Sequence, residues 1–280
     1  MTTQPTNASS EMGKNAGRTD TSRVKMAWFE HNSSRIYCEE QGSGAAVLVL
    51  PGFAGSIEEF SALREALVAA GYRVIAADLP GSGRSEPQPR AYTATYFEDD
   101  AHSFAALLQH LETGPAHLFG FSDGGEVSLL MAALMPGVAR SVIALGAAGV
   151  INDPSGKLRE ALYNVVDRPV PPLQQLRDRV VAAYGEANAR AMMQSEIGAL
   201  SDLIEKSGGD LSLSKAGTII CPVLLIAGEH DMFVPPALAS ELAARIRTAE
   251  ALVAEGAEHN VYEDRPEWLT QTILDWLGKH

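Results

Sequence analysis

The sequence predicts an α/β protein: a mostly parallel central sheet flanked by helices, with a helical cap inserted late in the chain. Two observations carry this. Short apolar runs of strand length, Val47–Leu50, Val74–Ala77, Leu118–Phe121 and Val142–Leu145, alternate with segments of helical spacing, Ser61–Ala70 and Asp100–Leu111. Alternation of this kind gives parallel strands joined by crossovers, with helices on both faces. It then stops between residues 151 and 216, where helical patterns run without a clear strand, and resumes with the run Val223–Ala227.

In chain order, residues 1–24 are polar and rich in Thr, Asn, Ser and Gly, so a disordered tail is expected there rather than a secretory signal. Residues 25–150 form the first part of the core. Strand-like residues from Ala27 to Ile36 are broken by His31-Asn32-Ser33-Ser34, a hairpin signal. Ala101, Phe104, Leu107, Leu108 and Leu111 line one face of the helix over 100–111. In the cap, 151–216, Pro169, Pro171 and Pro172 interrupt the helical pattern. Leu173, Leu176, Val180, Val181 and Tyr184 form one stripe, and Met192, Met193, Ile197, Leu200 and Ile204 another. Such stripes pack a cap onto its core, and some of their side chains can also line a pocket. Residues 217–280 return to the core and end in a helix with Leu269, Ile273, Trp276 and Leu277 on one face.

The most informative stretch is 117–125, HLFGFSDGG. A buried strand runs into Gly120-Phe121-Ser122-Asp123-Gly124, and a helical pattern with Val127, Leu130, Met131 and Leu134 follows. A serine on a sharp turn between strand and helix is a nucleophile elbow. Glycine suits positions 120 and 124 because larger side chains would collide with the neighbouring strand and helix. The helix amino terminus supplies unpaired N–H groups and a partial positive charge where an oxyanion would form. Asp231 follows the strand run PVLLIAG, and His259 follows ALVA, so each stands just past a predicted strand end. An aspartate there can orient a histidine that takes the serine proton. The other histidines, on a surface helix, at a strand start or near a terminus, are read as solvated or structural. Upstream, AVLVLPGFAGS is a strand followed by a glycine-containing loop. Its Phe53 N–H, with that of Asp123, is expected to form the oxyanion hole.

The order Ser122, Asp231, His259 is that of the α/β-hydrolase superfamily, which the chain resembles from about Lys25 to Leu277. Within it, LPGFAGS paired with GFSDGG, and the cap segment AAYGEANARAM, are similar to valacyclovir-hydrolase-like (biphenyl-hydrolase-like) enzymes. Many superfamily members have His-Gly where this chain has Pro51-Gly52, which removes any bracing of the loop by a histidine. The resemblance implies a serine hydrolase acting on esters of α-amino acids, with the Asp123 carboxylate holding the substrate ammonium. The same carboxylate also suits simple stabilisation by the helix amino terminus, and residue types alone leave both readings open. Glu126 is read as a helix-terminus charge.

The same triad serves cofactor-free perhydrolases (haloperoxidases) and carbon–carbon bond hydrolases, and a ligand-binding protein could keep the fold without the chemistry. Dehalogenases and epoxide hydrolases need a carboxylate where this chain has Ser122. The net charge of −13 disfavours nucleic acid and anionic membranes as partners. No apolar run reaches the ~18 residues needed to span a bilayer. Two cysteines, Cys38 and Cys221, offer neither a disulfide framework nor a thiolate metal site, so a cytoplasmic enzyme without metal or cofactor, acting on a small-molecule ester, is expected.

Overall fold

A hairpin opens the fold. β1 (Lys25–His31) and β2 (Ser34–Gly42) pair antiparallel, and the turn residues Asn32 and Ser33 both have positive φ, 46° and 65°. That conformation matches a two-residue type I′ hairpin turn, whose twist suits the strands on either side. The pairing extends beyond the expected 27–36 at both ends, because β2 also pairs with an inner strand. The computed structural model describes residues 24–280, so the expected tail lies almost wholly outside the described residues.

β3 (Ala46–Leu50), β4 (Arg73–Ala77), β5 (Ala116–Phe121), β6 (Ala139–Leu145), β7 (Val223–Gly228) and β8 (Ala249–Ala254) complete an eight-stranded sheet in the order β1-β2-β4-β3-β5-β6-β7-β8. From β4 onward across this order all neighbours are parallel. The helices are α1 (Ser61–Ala69), α2 (Tyr96–His110), α3 (Asp123–Leu134), α4 (Lys157–Tyr163), α5 (Gln174–Tyr184), α6 (Glu186–Ser207), α7 (Pro236–Ala243), α8 (Val261–Asp264) and α9 (Pro266–Leu277).

Strand alternation divides the core. Leu48, Leu50, Ile75 and Leu118 face α2, α3 and α7, while Val47, Val49, Val74 and Phe119 face α1 and α9. A third apolar cluster, with Leu173, Val180, Met192 and Met193, lies within the cap and reaches Phe53 and Ala54. The α2 helix begins a turn earlier than its expected start at Asp100, because Tyr96 and Phe97 extend its buried stripe. The cap leaves and returns at one place. Ile151 N donates to Gly209 O at 2.9 Å, and Leu211 N to Gly149 O at 2.9 Å. Among the described residues no helix is long and apolar enough to cross a membrane.

The close approach of strand and helix at β5 explains two glycines. A Cβ on Gly120 would lie 2.0 Å from Gly124 O, and one on Gly124 would lie 2.4 Å from Pro51 O. Both obstacles are backbone. Gly124→Ala is therefore expected to destabilise the protein by about 1–3 kcal/mol or more. Gly137→Ala, where a Cβ meets nothing within 4 Å, is expected to stay within about 0.5 kcal/mol of the parent. Urea unfolding of the two variants checks this, and equal midpoints would contradict it.

Candidate active site

Ser122 is the whole turn between β5 and α3. Its backbone has φ 52° and ψ −116°, a region L-residues seldom occupy. Such strain lifts the side chain clear of the strand end and is kept only where its surroundings enforce it. Here Ser122 N donates to Leu145 O of β6 at 2.7 Å, and Ser122 O accepts from Glu126 N at 3.0 Å.

The structure brings the three expected side chains together. His259 Nε2 lies 3.2 Å from Ser122 Oγ, and His259 Nδ1 lies 2.7 Å from Asp231 Oδ2. The second oxygen of Asp231 accepts from Phe233 N at 2.8 Å and Val234 N at 2.9 Å. The buried carboxylate is thus held in place before it meets the imidazole. The ring of His259 sits between Phe121 and Phe233, each with its centroid 4.9 Å away. The turn after β7 packs directly against the turn after β8, since a Cβ on Gly228 would lie 1.9 Å from Glu258 O. Such a relay lets an imidazole take a hydroxyl proton while the aspartate fixes its tautomer and orientation.

The Phe53 loop passes over the serine: a Cβ on Gly52 would touch Ser122 Cβ at 3.1 Å. Neither the Phe53 nor the Asp123 N–H has a hydrogen-bond partner among the described residues, and Asp123 is the first residue of α3. Two unspent donors beside a serine hydroxyl suit a developing oxyanion. The loop is pinned from two sides. Ala54, with φ 54°, donates its N–H to Ser82 Oγ at 3.1 Å, and its carbonyl accepts from the Tyr184 hydroxyl of α5 at 2.9 Å. Gly83 N in turn donates to that hydroxyl at 2.8 Å. Asp78 accepts from Ile57 N and Arg84 N, both at 2.8 Å, tying the loops after β3 and β4 together.

A cavity of about 430 Å³ opens over Ser122 and His259, between the sheet edge and the cap. From the two cap stripes, Leu173, Leu176, Val180, Met193, Ile197 and Leu200 line it. Asp123 lines it too, and its carboxylate accepts from the Tyr96 hydroxyl at 3.1 Å. Burial, reinforced by the charges of Asp100 and Glu126, pushes Asp123 up to about 7. Glu196, which the sequence reading passes over, reaches the same hydroxyl at 3.2 Å from α6 and is 5% exposed. A signal for it existed: Glu196 falls within the apolar stripe Met192, Met193, Ile197, Leu200, where an acid has no reason to be unless it has a partner.

Glu126 stands in the first turn of α3, as read from the sequence, but does more than complement that terminus. It is buried, and its carboxylate accepts from Ala148 N at 2.9 Å, Gly149 N at 2.6 Å and Ser212 Oγ at 2.8 Å. It therefore clamps the segments where the cap leaves and rejoins the core. His117 is buried against Ser141 Oγ at 2.8 Å, far from the cavity. Among the described residues no cluster of His, Cys, Asp and Glu is arranged to hold a metal ion.

A strained serine on a strand-to-helix turn, with acid and histidine presented after the last two strands, defines the α/β hydrolase class. The chain belongs to the α/β hydrolase fold family. A family model described as alpha/beta hydrolase fold matches residues 45–183, and one described as TAP-like protein matches residues 206–279. The chain is 24% identical to the serine hydrolase BPHL of Mus musculus, over 91% of this chain and 87% of that protein. It is 30% identical to the dihydrolipoyllysine-residue acetyltransferase component of an acetoin cleaving system from Pseudomonas putida, over 91% of this chain and 67% of that protein. A solved esterase from Thermogutta terrifontis shares the fold with a TM-score of 0.72 at 23% identity, covering 91% of this chain and 98% of that one.

The raised Asp123 has a consequence for stability. The folded state keeps this proton at a pH where the unfolded chain, ionising near its ordinary ~3.9, has lost it. Folding therefore binds protons between that value and about 7, and stability falls as pH rises through this window. Asp123→Asn removes that loss. Its melting temperature is expected to match wild type near pH 4 and exceed it by pH 8, by about 2–4 °C for each kcal/mol recovered. A difference that does not change with pH, measured by calorimetry, would contradict this.

Proposed function

We propose that the protein hydrolyses carboxylic esters through an acyl-enzyme on Ser122, with esters of α-amino acids as its preferred class. The observation that carries the reading is the continuous relay from Asp231 through His259 to Ser122, at 2.7 and 3.2 Å, beside two unspent N–H donors. His259 takes the Ser122 proton as Oγ attacks the ester carbonyl. The N–H groups of Phe53 and Asp123 receive the oxyanion, and losing one such donor typically costs about 10²–10³ in turnover. His259 then protonates the leaving alcohol. Water, deprotonated by the same imidazole, attacks the acyl-enzyme and frees Ser122.

The amino-ester preference rests on Asp123. Its N–H would serve the oxyanion while its carboxyl faces the cavity that holds the acyl group. An ammonium placed there gains charge-assisted hydrogen bonds, roughly twice as strong as neutral ones. The apolar cap residues suit the acyl side chain and leaving group, and methionine adapts to varied shapes. Cys38 and Cys221 are free and buried, which suits a reducing compartment, and we place the enzyme in the cytoplasm. Its partner is a small-molecule ester; neither nucleic acid nor membrane is proposed.

Two expected outcomes test the reading. Ser122→Ala should abolish turnover of a p-nitrophenyl ester while keeping the wild-type melting temperature; near wild-type rates would end the proposal. Asp123→Asn should cut kcat/KM on an amino-acid ester about 10- to 100-fold more than on a simple acyl ester. Equal losses on both substrates would remove the ammonium role.

A further inference from the structure

Tyr96 stands between two carboxyl groups. Its hydroxyl oxygen lies 3.1 Å from Asp123 Oδ2 and 3.2 Å from Glu196 Oε1. A phenol owns one proton and donates it to one acceptor at a time. The second contact gains a hydrogen only when a carboxyl group donates into the phenol oxygen. With both carboxyls ionised, one contact would be oxygen against oxygen in an enclosure where an unsatisfied polar group is costly. The geometry therefore keeps one acid proton within the chain Asp123–Tyr96–Glu196.

The nearest cation, Arg90, favours the Asp123 charge only in part, because it is already paired. Arg90, from the segment before α2, stacks over Tyr92 and Tyr96, with its guanidinium 4.9 and 5.6 Å from the ring centroids. Both of its terminal nitrogens are taken by Asp100 of α2, each at 2.7 Å. Glu126 of α3 adds a further negative group and is spent on the cap segments. Burial and the neighbouring Asp123 raise Glu196 well above its ordinary range. The two arginines that line the cavity are also engaged. Arg159 is held by Asp153 and Arg179 by Glu263, both at 3.2 Å. The cavity thus has an acid wall whose missing counter-charge is a cation with several N–H donors.

We propose that Glu196 is a specificity-determining residue: it forms one acid site with Asp123, and the substrate ammonium enters by displacing the proton that the pair holds through Tyr96. This rests on the amino-ester reading above. On binding, the ammonium N–H groups make hydrogen bonds to the two carboxylates, and the displaced proton leaves to solvent. The preference for an amino ester over its desamino analogue then rises as the pair gives up its protons, near pH 7 for Asp123 and after that for Glu196, which the Asp123 charge raises. It falls again as the substrate α-amino group, ordinarily near ~7.7–8.0, loses its own. Glu196 gives up its proton after Asp123, so replacing Glu196 removes the later ionisation and the rise then ends with Asp123.

The test compares phenylalanine ethyl ester with 3-phenylpropionate ethyl ester, from about pH 5.5 to about pH 8.5, in wild type, Glu196→Gln and Asp123→Asn. The ratio of kcat/KM values cancels every titration that the two substrates share. In wild type the ratio is expected to climb through pH 7 and beyond, about tenfold per pH unit on the steep part. In Glu196→Gln the climb should end at least about one pH unit lower. Calorimetric titration of wild type with phenethylamine near pH 6.5, in buffers of different ionisation enthalpy, should show about one proton released per amine bound. An unmoved climb in Glu196→Gln, with the preference still destroyed by Asp123→Asn, would overturn the role of Glu196 and leave the amino-ester reading standing. No preference in wild type and no amine binding would sink that reading and this inference together, with ester turnover at Ser122 unaffected. Should Glu196→Gln fail to fold, the wild-type titration decides: amine binding without proton release overturns the proposal.

Discussion

Ser122 is held where an L-residue rarely goes, and the rest of the site is arranged around that one strained turn. The strain persists because β5, α3 and the Phe53 loop meet with no room between them. Side chains at 120 and 124 would run into backbone, and the Ser122 N–H and carbonyl are both engaged. A turn this constrained sets three directions at once. It brings the hydroxyl to the imidazole, starts α3 directly beside the serine, and leaves Asp123 at the cavity with its carboxylate on Tyr96.

The carboxylates near this turn divide by environment. Asp231 is satisfied by two backbone N–H groups and an imidazole. Both of its oxygens are therefore engaged although it is buried, an arrangement suited to orienting the imidazole. Glu126 is equally enclosed and is consumed in joining the two ends of the cap to the core. Asp123 and Glu196 differ from both. They share one phenol, and neither has an ion-pair partner among the described residues. Carboxylates close together in the fold thus have different surroundings, and the number and kind of donors around each decide what it can do.

Much of the fold was legible because strand-length apolar runs and helical spacing alternate so regularly. The triad was legible for a related reason: a parallel sheet presents all its strand ends at one edge, so residues just past those ends converge. Other features depended on packing that no local pattern records. The α2 helix extends back to Tyr96 because Phe97, Ala101 and Phe104 continue one buried stripe. Glu126 follows the nucleophile by one helical turn and looks like a terminus charge, until the cap segments fold down onto it. Glu196 was the most recoverable omission, an acid set in an apolar stripe. Its partner Tyr96 lies 100 residues away in sequence, and only the folded chain puts the two against Asp123.

The central claim is that Ser122 is the nucleophile of a serine hydrolase. Reaction of the intact protein with a fluorophosphonate, followed by intact-mass measurement and peptide mapping, tests it most directly. The account requires one phosphonyl group per chain on the peptide that contains Ser122, and loss of the adduct when His259 is replaced. No adduct, or an adduct on another residue that survives replacement of His259, would contradict it.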